Sequence, residues 1–207
     1  AGHESSDTGT TGGTTIATGR TVSATIGGEA LDVAGILQKV GPSTVAINTS
    51  VTQRRGPYVA QGQGAGTGVV LTADGQILTN AHVVSGATRI TVSVDGTDQE
   101  LPATLVAADS ANDLALLQVQ GVTDLTPAVL GSSAAAAVGD DVVAVGNALA
   151  LEGGMSVTRG IVSALNRSIE AGGNGTSETL SGLIQTDAAI SSGNSGGPLV
   201  NSNGEVI

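Results

Sequence analysis

The chain has 207 residues, enough for one large domain or two small ones with room for a core. It carries 7 basic and 18 acidic residues, no cysteine, and Tyr58 as its only Phe, Trp or Tyr side chain. The net charge of -11 argues against nucleic acid and anionic membranes as partners, since phosphate binding needs basic clusters. The missing thiols exclude cysteine nucleophiles, disulfides and thiolate zinc sites.

Residues 1–14, AGHESSDTGTTGGT, are polar and rich in Gly and Thr, which predicts a flexible tail. ALDVAGILQKV places Val33, Ile36, Leu37 and Val40 at helical spacing, and Gly41-Pro42 should stop that helix. It is the one good helix in the sequence. From Ser43 onward the pattern turns to short runs rich in Val, Ile and Thr: STVAINT, GTGVVLTA, QILTNAHVV, RITVSV, LALLQV, DDVVAVG, GIVSAL and GLIQTDA. Asp74-Gly75, Asp95-Gly96 and Asn203-Gly204 predict two-residue hairpins, because type I′ turns need φ > 0 at both positions. SSAAAAVGD around Ala134 reads as a short helical link between two halves. Many short strands with tight turns and few helices predict an antiparallel barrel or sandwich. No apolar run reaches the roughly 18 residues of a membrane span, and any signal or anchor segment is expected to lie outside this stretch.

GNSGGPLV, Gly193–Val200, crowds glycines around Ser195. Such a stretch is either a plain turn or a turn that holds a nucleophile. A serine needs a base, usually a histidine oriented by a carboxylate. Of the two histidines, His3 lies in the tail and His82 ends a predicted strand in LTNAHVV. Taken alone, His82 also fits a half-buried, satisfied histidine. Asp113 in NDLALLQV heads a strongly apolar strand, where a carboxylate is costly unless paired; it also fits an ordinary strand-entry aspartate. Chain order tests other designs. The G-x-S-x-G elbow of α/β-hydrolases needs Asp/Glu and then His after the serine, yet only twelve residues follow Ser195, none of them His. A subtilisin-like order through Asp32 would need helices that the sequence lacks. The order His82, Asp113, Ser195 is that of chymotrypsin and suits a β-barrel protein.

TNAHVV, NDLALLQV, GIVSALNRS and IQTDAAISSGNSGGPLVNSNGEVI together resemble the HtrA (DegP-like) family of trypsin-fold serine proteases, in particular its secreted actinobacterial members. The likeness covers about residues 30–207. It implies an all-β fold of two antiparallel six-stranded barrels with one short N-terminal helix: residues 15–125 would form the helix and first barrel, and 126–207 the link and second barrel. It implies His82, Asp113 and Ser195 as the triad, and an oxyanion hole in the turn Gly193, Asn194, Ser195, with the N–H groups of Gly193 and Ser195 as donors. It also implies cleavage of unfolded polypeptides in the cell envelope or outside the cell, often as trimers, without cofactor or metal. Asn194 replaces the aspartate that pairs with a new N-terminus in many trypsin relatives, so no zymogen switch is expected. Ala189 stands where trypsin-like enzymes carry the aspartate that selects Arg and Lys. With Ile190 beside it, a small aliphatic P1 residue is expected. Arg167 matches an arginine that braces the oxyanion turn, and SIEAGGNGTSETL after it is expected to be a mobile regulatory loop. Two departures touch pocket and regulation: Ser191-Ser192 stands where Asn-Pro is common, and Ala148-Leu149-Ala150 where Pro-Phe-Gly is common. The second arm of the Asn203-Gly204 hairpin, EVI, is short for a strand, so the second barrel is expected to be incomplete at its C-terminal end. No PDZ domain lies in this sequence. Two other readings stay open: a chaperone-like, non-catalytic peptide-binding module on the same fold, and a structural or adhesive β-domain with the tail as a stalk.

Overall fold

A computed structural model describes residues 30–55, 58–94, 99–147, 154–171, 178–191 and 193–207. The expected tail, the Asp95-Gly96 turn, Ala148-Leu149-Ala150 and Ser192 lie outside the described residues.

Helix α1 spans Val33–Val40. Asp32 caps it, its carboxylate accepting from the Gly35 N–H at 2.9 Å. The helix stops at Val40, as Gly41-Pro42 predicts, and Gly41 at φ -51° opens a 3-10 turn, Gly41–Ser43. The freed Val40 carbonyl is satisfied by the hydroxyls of Ser43 and Thr44, both at 2.9 Å. In sequence α1 precedes the first barrel, yet its buried residues Ile36 and Val40 pack with Val143, Val145 and Val200 of the second half.

Six strands close an antiparallel barrel: β1 (Thr44–Arg55), β2 (Tyr58–Val70), β3 (Gln76–Thr79), β4 (Arg89–Val94), β5 (Glu100–Asp109) and β6 (Leu114–Val119), in the order β1-β2-β3-β6-β5-β4 with β4 returning to β1. Closure leaves no free sheet edge. With no Phe or Trp available, Val45, Ile47, Val70, Ile77, Val92, Leu117 and Val119 fill its interior at 0–2% exposure. β-Branched residues suit this, being stiff and compact on a pleated surface. The sequence reading missed β5. Its residues face solvent on both sides along most of its length, and Pro102 reads as a breaker, so no alternation marks it.

The second half is a four-stranded sheet in the order β10-β7-β8-β9: β7 (Asp141–Gly146), β8 (Ser156–Ala171), β9 (Glu178–Thr186) and β10 (Leu199–Val200). Val206 bridges Val200 on one side and Leu130 on the other. The link near Ala134 contains a short 3-10 turn, Ser133–Ala135. Much of the expected loop after Arg167 is strand instead: Ser168–Ala171 ends β8 and Glu178–Leu180 opens β9, while residues 172–177 lie outside the described residues. This ribbon carries three register shifts and a left-handed Asn166 at φ 55°, which hid it from a period-2 reading. Neither described hairpin signal is type I′. Only Gly75 and Gly204 take positive φ, at 101° and 78°, while Asp74 and Asn203 do not. At the second turn the Asn201 side chain accepts from the N–H groups of Asn203 and Glu205, both at 3.0 Å, so a side chain organises the turn.

Candidate active site

β3 ends at Thr79, and His82 sits in a one-turn helix, α2 (Ala81–Val84), rather than at a strand end. Ala81 and Val84 are buried in the barrel core, which leaves His82 on the outer side with 57% of its side chain exposed. Asp113 follows a 3-10 turn, Ser110–Asn112, and adopts left-handed backbone at φ 52°, ψ 44°. Aspartate tolerates that conformation better than most residues. Asp109 caps the same turn by accepting from the Asn112 backbone N–H at 3.3 Å, and the Asn112 side-chain amide donates to its other oxygen at 2.7 Å, which holds the Asp109 carboxyl below its usual range.

Four hydrogen bonds join residues 80–82 to Asp113. Its carbonyl accepts from Ala81 N–H at 3.1 Å and from Asn80 Nδ2 at 2.8 Å. Its carboxylate accepts from His82 N–H at 2.9 Å and faces His82 Nδ1 at 2.7 Å. An ionised carboxylate only accepts, so beside it a neutral His82 ring carries its proton on Nδ1 and keeps Nε2 as a lone-pair acceptor. That is the tautomer a general base needs.

Ser195 comes from the turn between β9 and β10. Its carbonyl accepts from Thr67 N–H of β2 at 2.8 Å. Gly196 follows at φ 82°, and a Cβ there would fall inside contact distance of Thr67 O and Thr79 Oγ1, so the turn presses backbone to backbone against the first barrel. A Cβ on Gly66 would come within 2.6 Å of Val83 Cγ1 and 3.1 Å of Ser195 O. β2, α2 and the serine turn thus share one packing layer. Among the described residues no hydrogen bond joins the Ser195 hydroxyl to the His82 ring.

The expected oxyanion turn is Gly193, Asn194 and Ser195, with Gly193 and Ser195 as its donors; between them the Asn194 N–H donates to Ser191 O at 2.9 Å. The buried Asn194 side chain is a strut. Oδ1 accepts from Ser156 Oγ at 2.7 Å, and Nδ2 reaches Ala189 O at 3.4 Å. Thr158 Oγ1 donates to the same Ala189 carbonyl at 2.9 Å, and Asp187 Oδ1 accepts from Ile161 N–H at 2.7 Å. Three points along β8 therefore grip the segment that leads to Ser195. Ala189 and Ile190 lie on that segment, with Ile190 61% exposed. Arg167 lies in β8, exposed, its Nε donating to Gln185 Oε1 at 3.0 Å. The sequence reading missed Thr67, Asn80, Ser156, Thr158 and Asp187. Each is a small polar residue inside or beside a strand, and only the close-set glycines around Thr67 hinted that backbone approaches there.

A comparison with protein families matches residues 66–207 to the trypsin-like peptidase domain. The chain belongs to that family. Its relatives place it in the HtrA branch. It is 42% identical over 184 residues to the serine protease PepD of Mycobacterium tuberculosis, covering 83% of this chain and 37% of the relative. It is 39% identical to the periplasmic serine endoprotease DegP of Escherichia coli, over 90% of this chain and 46% of DegP. The chain therefore spans less than half of these two relatives. Among solved structures, the HtrA-type protease AlgW with a tripeptide superposes with a TM-score of 0.70 at 34% identity, over 84% of this chain and 52% of that one. Deg5 does so at 0.67 and 37%, over 84% and 81%. For an HtrA-type chain, the closed barrel and the four-stranded sheet correspond to the trypsin-like architecture, with histidine and aspartate on one half and serine on the other.

Proposed function

We propose that this chain is a serine endopeptidase working through an acyl-enzyme, with Ser195 as nucleophile, His82 as base and Asp113 as its orienting carboxylate. The observation that carries this reading is the clamp of His82 by both oxygens of Asp113, which leaves Nε2 of the neutral ring as an acceptor. Ser195 Oγ attacks the scissile carbonyl carbon while His82 Nε2 takes the hydroxyl proton. The N–H groups of Gly193 and Ser195 receive the oxyanion. The C–N bond then breaks and the amine leaves with the proton from Nε2. Water repeats the sequence on the ester, and Asp113 stays ionised throughout.

The family likeness extends the proposal. Substrates are unfolded polypeptides with a small aliphatic P1 residue facing Ala189, and the working form is a homo-oligomer, trimeric by likeness. The site of action is outside the cytoplasm, in keeping with relatives that are named periplasmic. A non-catalytic, peptide-holding module is the second reading, favoured by the missing Ser195–His82 hydrogen bond, although such bonds often tighten only with substrate bound. Fluorophosphonate labelling separates the two. Labelling that Ser195→Ala abolishes, with the variant's melting temperature unchanged, supports the protease; an unlabelled, folded wild type supports the holder.

A further inference from the structure

Thr67 lies near the C-terminal end of β2 at 0% exposure. Its N–H and its hydroxyl are both committed to the serine turn. Its N–H donates to Ser195 O at 2.8 Å. Its hydroxyl donates to Gly193 O at 2.8 Å and accepts from Asn147 N–H at 2.8 Å. Its carbonyl accepts from Thr79 Oγ1 at 2.7 Å. Because the hydroxyl is donor and acceptor at once, its rotor is fixed and its bond to Gly193 has one direction.

Peptide groups are planar, so holding a carbonyl also aims the N–H of the next residue the opposite way. Thr67 holds the carbonyl of Gly193 and the carbonyl of Ser195. These belong to the peptides on either side of the one that carries the Ser195 N–H. The Asn194 carbonyl of that central peptide is held by Gly197 N–H at 2.8 Å, within the turn. Three consecutive carbonyls are thus pinned, two of them by one residue of the opposite barrel, and the Ser195 N–H makes no hydrogen bond among the described residues.

We propose that Thr67 is a positioning residue for the oxyanion turn: its hydroxyl fixes the Gly193–Asn194 peptide, and through it the neighbouring peptide that carries the Ser195 N–H, by anchoring the Gly193 carbonyl to the end of β7 through Asn147. The proposal rests on the protease reading above. Thr67 touches no reacting atom, so its loss should slow bond formation at Ser195 without weakening encounter with the reagent. Deleting one oxyanion donor costs about 10²–10³-fold in comparable sites, and misaiming one costs less. A loss of about 10–100-fold is expected.

The test is the rate of Ser195 phosphonylation by a fluorophosphonate, resolved into a maximal rate and a half-saturating concentration. Thr67→Val removes the hydroxyl and keeps the shape; Thr67→Ser keeps the hydroxyl. The expected result is a maximal rate lowered about 10–100-fold in Thr67→Val with half-saturation within about twofold, and Thr67→Ser within about threefold of wild type. If Thr67→Val does not fold, Thr67→Ala takes its place with the same expected loss. A folded Thr67→Val or Thr67→Ala that reacts at the wild-type maximal rate, or a Thr67→Ser as slow as Thr67→Val, overturns the proposal and leaves the triad standing. A folded wild type that does not react at all removes the triad reading and the proposal with it.

Discussion

Replacing Asp113 by Asn tests the clamp on His82 with little disturbance to the chain. Asparagine tolerates the left-handed backbone that Asp113 adopts at φ 52°. The two bonds to the Asp113 carbonyl, from Ala81 and Asn80, are untouched. What changes is the second carboxylate oxygen. If the amide oxygen keeps the His82 N–H, the amide NH₂ faces His82 Nδ1, which must then accept. The ring proton moves to Nε2, and the site loses its base. The expected loss in kcat is about 10⁴-fold, which is about 5 kcal/mol of barrier. Stability should move by about 1 kcal/mol or less, because the pair is solvent-accessible, with His82 57% exposed. Initial rates of casein cleavage, read beside the melting temperature, check both numbers. Near-normal cleavage by folded Asp113→Asn would falsify the clamp as the source of the base; a large fall in melting temperature would make Asp113 a structural residue first.

Three further outcomes are expected. A peptide with Val at P1 is cleaved faster than its Arg counterpart, because Ala189 offers no charge; a P1 library showing preference for Arg or Lys removes the pocket assignment. Gly196→Ala destabilises the fold by about 2 kcal/mol or more, since its Cβ meets Thr67 O and Thr79 Oγ1 at positive φ; an unchanged denaturant midpoint would show that the turn can withdraw from β2. Arg167→Ala lowers cleavage more than stability, as its bond to Gln185 is exposed and contributes little to the fold; equal activity at equal melting temperature counts against a bracing role.

Strands such as RITVSV and DDVVAVG were legible because their buried runs of β-branched residues have no other economical use. The order His82, Asp113, Ser195 was legible because so few histidines compete. The helix under His82 was not: AHVV makes only one turn, and its β-branched residues read as strand. β5 was hidden by exposure on both faces, and the packing of α1 on β7 and β10 is a long-range fact that periodicity cannot carry. The turn types failed for a physical reason, since Gly75 and Gly204 each supply the one positive φ that their loops require. Thr67 was read only as strand, because a threonine in GTGVV looks the same whether its hydroxyl meets water or a carbonyl 126 residues away.

The closed barrel also has a consequence for how the protein is made. β1 to β6 and the His82–Asp113 clamp are complete by Val119, whereas the hydroxyl of Thr67 finds its partners only at Asn147 and Gly193. On the ribosome, the nascent chain can therefore finish the proposed base and its carboxylate while the proposed nucleophile, Ser195, is still unsynthesised. In the protease reading, the nucleophile meets its base only after the barrel that holds His82 and Asp113 has been made.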